Sequence, residues 1–384
     1  MVPAPRARQA LLEVPVRLER AQDRSYPILI EPGLLRRASE IIADRFPSTA
    51  CAVISDSNLA GLYAGKIAAG LEEAGLRTPA VISFPAGEQS KNRRVKEQVE
   101  DRMFEAGLGR DSLVVAVGGG VVGDLAGFVA ATYARGVALV QVPTSLLAMA
   151  DSSIGGKTGV DVPWGKNLIG AFHQPALVLI DPEVLITLDQ RQFTAGMAEI
   201  VKHGVIRELE LFDYLESSPE QLTRDNADLL ADLVARNCRI KASVVQQDER
   251  ETNLRQILNF GHTLGHAVEA FSGYRMLHGE AVACGMALEA DIAVALGLLK
   301  AQGAARIAGL LTRLGLPVTL AGLAAPAERL IEMTTLDKKA RKGRARYALP
   351  LKIGRMAASG DGSYGIEVPD EVVRNVLVAR GATG

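Results

Sequence analysis

The chain is predicted to fold as an α/β N-terminal domain with a Rossmann-like parallel sheet, followed by a mainly α-helical C-terminal domain. Three observations carry this expectation. Short β-rich apolar runs alternate with helical patterns through the first half, a glycine turn joins one such run to a helix, and beyond about Pro182 long helical patterns take over. In order, residues 50–55 read as a buried strand, 59–74 as a helix, 80–84 as a strand, 92–106 as a helix, 112–117 as a strand and 121–134 as a helix. Strands at 137–142 and 176–180 complete the sheet. The later helices are expected at 194–206, 227–247, 262–272, 280–296, 304–314 and 325–334. Thr194 is the expected cap of the first. A basic, glycine-containing stretch at 337–346 and a hairpin precede a last helix at 371–379. The boundary falls near 182–190, giving domains at 1–185 and 186–384; 384 residues suit two domains on size.

Composition narrows the function classes. The chain is 48% hydrophobic and 23% charged with a net charge of −1, so it has no global attraction to nucleic acid or to a membrane surface. No apolar signal core or membrane-length run occurs. Cys51, Cys238 and Cys284 are odd in number and widely spaced, which argues against a disulfide framework. A reducing cytoplasm is the expected location.

Two glycine-containing loops fall in the first half. Gly118-Gly-Gly-Val-Val-Gly-Asp124 satisfies Gly-x-Gly-x-x-Gly between a strand and a helix, the context in which that motif points to a dinucleotide. Its glycines allow a tight turn and close approach of a pyrophosphate to the helix N-terminus. A turn needed only for packing is the alternative. Asp56 ends the strand at 50–55 and suits a ribose diol, favouring NAD over NADP, although an Asx turn or helix cap explains it equally well. Gly87-Glu-Gln-Ser-Lys91 lies on the same ligand-facing edge. Asp151-Ser-Ser-Ile-Gly-Gly-Lys157-Thr, with Gly165-Lys166-Asn167, reads as a small-residue loop whose lysines suit an anionic ligand such as a phosphate. The competing reading is solvated surface lysines.

Of five histidines, three fall in Asn259-Phe-Gly-His262-Thr-Leu-Gly-His266 and at His278. His262 and His266 share a helix face, so a divalent metal, zinc first, is the natural reading; cap or core histidines are the alternative. The motif lacks the glutamate of a metalloprotease helix. Glu199 and Lys202 are three apart on an otherwise apolar helix. Their mutual ion pair is one explanation. The other is that Glu199 joins His262 and His278 in a His₂Glu set with open positions. Lys241, Arg255, Lys338 and Lys339 add positive charge.

These runs, together with Pro143–Thr158, Gly165–Phe172, Gly196–Gly204, Leu258–Ala267, His278–Val282 and Asp337-Lys-Lys339, closely resemble the 3-dehydroquinate synthases of the sugar-phosphate cyclase family. The resemblance covers almost the whole chain. It implies NAD and a divalent metal, zinc or else cobalt, in a cleft between the two domains. It implies Glu199, His262 and His278 as metal ligands, leaving His266 for acid/base work. Around NAD it places Asp56, Asn58, Glu88, Lys91, Gly119, Gly120, Asp124, Thr144, Ser145, Lys157, Lys166, Thr187 and Leu188. Around a small phosphorylated sugar acid it places Asp151, Lys157, Asn167, Lys202, Lys241, Arg255, Asn259 and one of Lys338 and Lys339. Arg135 is the arginine lent to the neighbouring subunit's phosphate pocket, so a homodimer is implied. Asn253 stands where the family commonly has glycine, with the expectation that Asn tolerates the same turn conformation. The implied reaction turns 3-deoxy-D-arabino-heptulosonate 7-phosphate into 3-dehydroquinate and phosphate, in the shikimate pathway to aromatic amino acids. It runs by transient oxidation, phosphate elimination, re-reduction and aldol closure. The rivals are another sugar-phosphate cyclase, or a metal-dependent polyol dehydrogenase on the same architecture.

Overall fold

The computed structural model describes residues 24–336 and 345–384. Its first half holds β1 (Ile28–Ile30), α1 (Ala38–Arg45), β2 (Ala50–Asp56), α2 (Gly65–Glu73), β3 (Arg77–Phe84), α3 (Arg93–Glu105), β4 (Leu113–Gly118), α4 (Gly120–Thr132), β5 (Ala138–Pro143), β6 (Lys157–Val162), β7 (Gly165–Phe172) and β8 (Leu177–Ile180). Six strands form one parallel sheet in the order β1-β8-β5-β4-β2-β3. The strands read as continuous apolar runs because both faces are covered. Val53, Val115, Val117 and Val140 pack on one face with Ile67 and Leu71 of α2. Ile54, Val114, Ala116 and Leu139 pack on the other with Met103 of α3 and Leu125 of α4.

Strand order explains the placement of the glycine turn. From β2 the chain runs to β3 at one edge, then crosses back to place β4 on the other side of β2. The order reverses between β2 and β4, and ligands of open α/β sheets bind at the strand carboxyl ends beside such a reversal. Asp56 ends β2 and Gly118 ends β4, so the turn is at the switch point although it does not follow the first strand.

The second half is α5 (Gln190–Arg207), α6 (Leu209–Ser217), α7 (Ala227–Gln247), α8 (His262–Phe271), α9 (His278–Ala295), α10 (Ala301–Arg313), α11 (Ala327–Leu336) and α12 (Asp370–Ala379), with short strands β9 (Arg346–Tyr347), β10 (Pro350–Lys352), β11 (Arg355–Met356) and β12 (Ile366–Glu367). β10 and β11 supply the expected hairpin, while β9 pairs with β12. α9 is apolar on all sides and therefore sits at the centre of this half, buried from Ala281 to Ala293 except at Asp291.

Four expectations need correction. The small-residue loop is an antiparallel β6–β7 hairpin, in which Gly159 faces Gly170. A Cβ on Gly170 would lie 2.0 Å from the Thr158 carbonyl, so these glycines serve close strand approach. Thr194 is not a cap. α5 begins earlier, capped by Asp189, whose carboxylate accepts from Arg191 N at 2.9 Å. β1 and α6 were not anticipated: β1 has only three residues, and α6 follows α5 after the single residue Glu208. Asn253 has φ −153°, outside the left-handed region, which is taken instead by Glu251 at φ 58°. The Asn253 side chain is used to tie two loops together, donating to Gly362 O at 3.1 Å and accepting from Tyr364 N at 3.2 Å.

Candidate active site

The N-terminus of α8 is built by a buried carboxylate. Glu289 of α9 accepts from Gly261 N at 2.7 Å and Leu264 N at 3.1 Å, neutralising the positive end of the helix. His262 is the first residue of α8 and His266 lies one turn on. His278 opens α9, whose first turn is closed by Glu280 accepting from Leu277 N at 2.8 Å. One nitrogen from each of the three histidines lies within 4.8 Å of the others.

Glu199, on α5, lies beneath them. It is 1% exposed, and its Oε1 is 3.4 Å from His262 Nε2 and 3.6 Å from His278 Nε2. Four ligands at about 2.1 Å from a tetrahedral ion are about 3.4 Å apart, so these separations suit one shared cation. The histidine tautomers agree. His262 Nδ1 donates to the Phe260 carbonyl at 3.1 Å, and His278 Nδ1 faces Glu269 Oε2 at 3.3 Å, which turns both Nε2 atoms toward Glu199. Burial and Lys202 push His262 down to about 4. Burial also opposes charge on His278, but Glu269 and Glu199 raise it to about 9, so the carboxylates draw positive charge to this spot. The ion-pair reading of Glu199 is realised, since its Oε2 pairs with Lys202, while Oε1 is the oxygen turned toward the histidines.

Beside this cluster lies a buried group of mostly cationic side chains. Asp151 Oδ1 is 2.8 Å from Lys241 Nζ of α7, 3.7 Å from Lys202 Nζ and 3.6 Å from His203 Nε2. Burial would raise Asp151, yet Lys202 and Lys241 hold it well below the usual carboxylate range. Burial pulls Lys241 below an ordinary lysine, whereas Lys202, with Asp151 and Glu199 both at hand, is raised despite its burial. Arg255 is 1% exposed; its guanidinium donates to Gly155 O at 2.9 Å and Glu249 O at 2.5 Å. Glu251 joins Lys157 of β6 to Asn259, accepting from Asn259 Nδ2 at 2.6 Å. Asn167, at φ 54°, donates its N–H to Asp161 at 2.8 Å.

The sheet edge holds the other predicted set. Asp56 Oδ1 accepts from Asn58 N at 2.9 Å and Leu59 N at 3.2 Å, so the Asx turn exists. Thr144 N donates to Gly118 O at 3.0 Å, placing the Thr144–Ser145 turn against the glycine run. None of Gly118, Gly119 and Gly120 has positive φ. Gly118 is needed because a Cβ would lie 2.6 Å from Val122 Cβ. At Gly119 a Cβ would only touch Ser145, at 3.4 Å, so packing does not require glycine there. Lys91 is buried, 2.8 Å from Asp124 and 3.6 Å from Glu88, and Glu88 is 2.7 Å from Lys166. Burial opposes ionisation of Glu88, but Lys91 and Lys166 hold it at about 2. Thr187 Oγ1 pairs with Tyr63 Oη at 2.9 Å, and Leu188 O accepts from Arg224. Arg135 is exposed after α4 and makes no ion pair among the described residues. Lys338 and Lys339 lie outside the described residues.

Four residues at the site escaped sequence reasoning. His203 and Tyr26 act through Asp151 and Gly155, contacts made between distant segments. Glu251 gave no periodic signal. Glu269 did: it is seven residues after His262 and three after His266, on one helix face.

A switch-point glycine turn together with a half-buried histidine cluster around the buried Glu199 defines the class: a metal-competent enzyme framework built on a dinucleotide-type α/β layer. Residues 81–195 match the 3-dehydroquinate synthase N-terminal family model, and 196–340 match the C-terminal one. The chain belongs to the 3-dehydroquinate synthase family. It is 50% identical to a 3-dehydroquinate synthase of Pelotomaculum thermopropionicum over 333 residues, 86% of this chain and 89% of that relative. Among solved structures, 2-epi-5-epi-valiolone synthase from Streptomyces hygroscopicus, with NAD⁺ and Zn²⁺ bound, superposes with a TM-score of 0.84 at 31% identity, over 94% of this chain and 98% of that one. A 2-deoxy-scyllo-inosose synthase complexed with carbaglucose-6-phosphate, NAD⁺ and Co²⁺ gives 0.81 at 26% identity, over 92% and 97%.

Proposed function

We propose that the chain converts 3-deoxy-D-arabino-heptulosonate 7-phosphate into 3-dehydroquinate and phosphate, with NAD⁺ and a zinc-type ion as cofactors. The observation that carries this reading is Glu199 Oε1 facing two histidine Nε2 atoms at 3.4 and 3.6 Å, with Lys202 and Lys241 alongside. Glu199, His262 and His278 would hold the metal. Gly119, Gly120 and the α4 N-terminus would hold the pyrophosphate, with Asp56, Asn58, Glu88, Lys91, Asp124, Thr144, Ser145, Lys166, Thr187 and Leu188 around the rest of the dinucleotide. When bound, NAD⁺ supplies a temporary hydride acceptor and the metal supplies Lewis acidity at neighbouring hydroxyls.

The chain's own residues do the rest. Lys157, Lys241 and Arg255 hold the phosphate by charge-assisted hydrogen bonds and take up its charge as the C–O bond breaks. Asp151 orients Lys202 and Lys241. Asn167 and Asn259 position the substrate hydroxyls, and His266 moves protons at the mouth of the cluster. In this reading the α/β domain spans 1–185 and the helical domain 186–384, and the enzyme is a cytoplasmic homodimer. The level of identity to the named dehydroquinate synthase, against 31% to the valiolone synthase, favours this substrate over those of other cyclases. The test is an assay of the heptulosonate phosphate with catalytic NAD⁺. Phosphate release without NADH accumulation is expected; net NADH formation, or no phosphate, would discard the reading in favour of a dehydrogenase or another cyclase.

A further inference from the structure

Glu269 of α8 is 3% exposed, and its two oxygens serve different sites. Oε2 faces His278 Nδ1 at 3.3 Å, and Oε1 accepts from Lys166 Nζ of β7 at 2.9 Å. Lys166 is also 2.7 Å from Glu88; Glu88 is 3.6 Å from Lys91, and Lys91 is 2.8 Å from Asp124 in α4. Charges alternate along this line without a break, from the histidine cluster to the helix that follows the glycine turn. A carboxylate is planar, so fixing one oxygen fixes the other. For His278 to present its Nε2 lone pair to a cation, it must carry its proton on Nδ1, and Glu269 is the acceptor for that proton. A cation on Nε2 polarises the ring and strengthens the Nδ1–H···Oε2 bond. That in turn fixes Oε1, and with it Lys166.

We propose that Glu269 is a positioning residue coupling metal binding at His278 to dinucleotide binding beside Lys166, so that each ligand tightens the other; this rests on the cofactor and metal reading above. By linkage the two effects must be equal in size. The metal-stripped full chain is titrated with Zn²⁺ against a chromophoric chelator, with and without NAD⁺. NAD⁺ affinity is measured calorimetrically with and without Zn²⁺. In the wild type, each ligand is expected to lower the dissociation constant of the other by the same factor, within about 5–150-fold. Glu269→Gln should weaken Zn²⁺ alone by about 10–100-fold and bring the coupling factor to about one. Lys166→Gln leaves the Glu269–His278 contact in place. It should keep the affinity for Zn²⁺ alone and still lose the coupling, so the test stands even if Glu269→Gln fails to fold. A purely structural Glu269 would shift the melting temperature while leaving the coupling factor as in the wild type. A wild-type factor of one, or an unchanged factor in both variants, overturns the inference. A wild type that binds neither Zn²⁺ nor NAD⁺ overturns the functional reading with it.

Discussion

Asp248 shows how one side chain holds the loop that carries Arg255. It accepts from Thr252 N at 2.8 Å, Thr252 Oγ1 at 3.0 Å, Asn253 N at 2.8 Å and Arg255 N at 3.0 Å. Burial would raise its pKa, but these donors hold it at about 2. A carboxylate with a folded pKa below its unfolded value of about 3.9 adds stability above that value and loses it as pH falls through the folded one. Asp248→Asn should therefore cost about 2 kcal/mol at neutral pH by urea unfolding, and the gap from wild type should close between about pH 4 and pH 2. If the gap is pH-independent, the carboxylate's charge is not what holds the loop. A second residue-scale expectation concerns His278. His278→Ala should lose metal affinity by more than about 100-fold, read by elemental analysis after dialysis. Full occupancy in that variant would remove His278 from the metal set.

At the scale of elements, glycine sets how closely the helices around the cluster approach. A Cβ on Gly285 of α9 would lie 1.9 Å from Gly261 O, at the start of α8; one on Gly279 would lie 1.9 Å from Ala195 O of α5. Both obstacles are backbone and cannot rotate away. Gly309 of α10 has nothing within 4 Å of the same position. The two helices should thus respond with opposite signs. Gly285→Ala should destabilise by about 1–3 kcal/mol or more, because overpacking outweighs the better helix propensity. Gly309→Ala should stabilise by about 0.5–1 kcal/mol. Thermal unfolding of both variants checks this, and a stabilising Gly285→Ala would mean that α8 and α9 are free to separate. The element boundaries read from sequence follow a similar division. Periodicity located α7 and α8 to within a residue, because 3.6-residue spacing is a local property. The β6–β7 hairpin reads as a loop because Gly159, Gly165 and Gly170 punctuate it and mask the short alternation of Thr158, Val160 and Val162.

At the scale of the whole molecule, the prediction concerns Arg135 and a second copy of the chain. Ala134 and Arg135 have φ of 48° and 71°, both in the left-handed region, ahead of Gly136. Two such non-glycine residues in a row are strained, and strain of this kind clusters at functional sites. Arg135 is expected to reach the partner's phosphate pocket across a two-fold axis. Subunits carrying Arg135→Ala and His266→Ala, each inactive alone, are mixed after dissociation. A hybrid dimer has one site with both residues, so random reassociation should restore about a quarter of wild-type activity. No recovery in a sample where hybrids demonstrably form would confine Arg135 to its own subunit. The amino-acid sequence by itself determined the strand–helix alternation, the Gly118–Asp124 turn, the Glu199–Lys202 pair and the shared face of His262 and His266, since all of these depend on spacings of a few residues. Only the tertiary structure decided that β4 lies beside β2 and so puts that turn at the switch point, that Glu199 faces the Nε2 atoms of His262 and His278, and that Glu269 bridges His278 to Lys166. Those contacts join segments far apart in the chain, and packing rather than local periodicity brings them together.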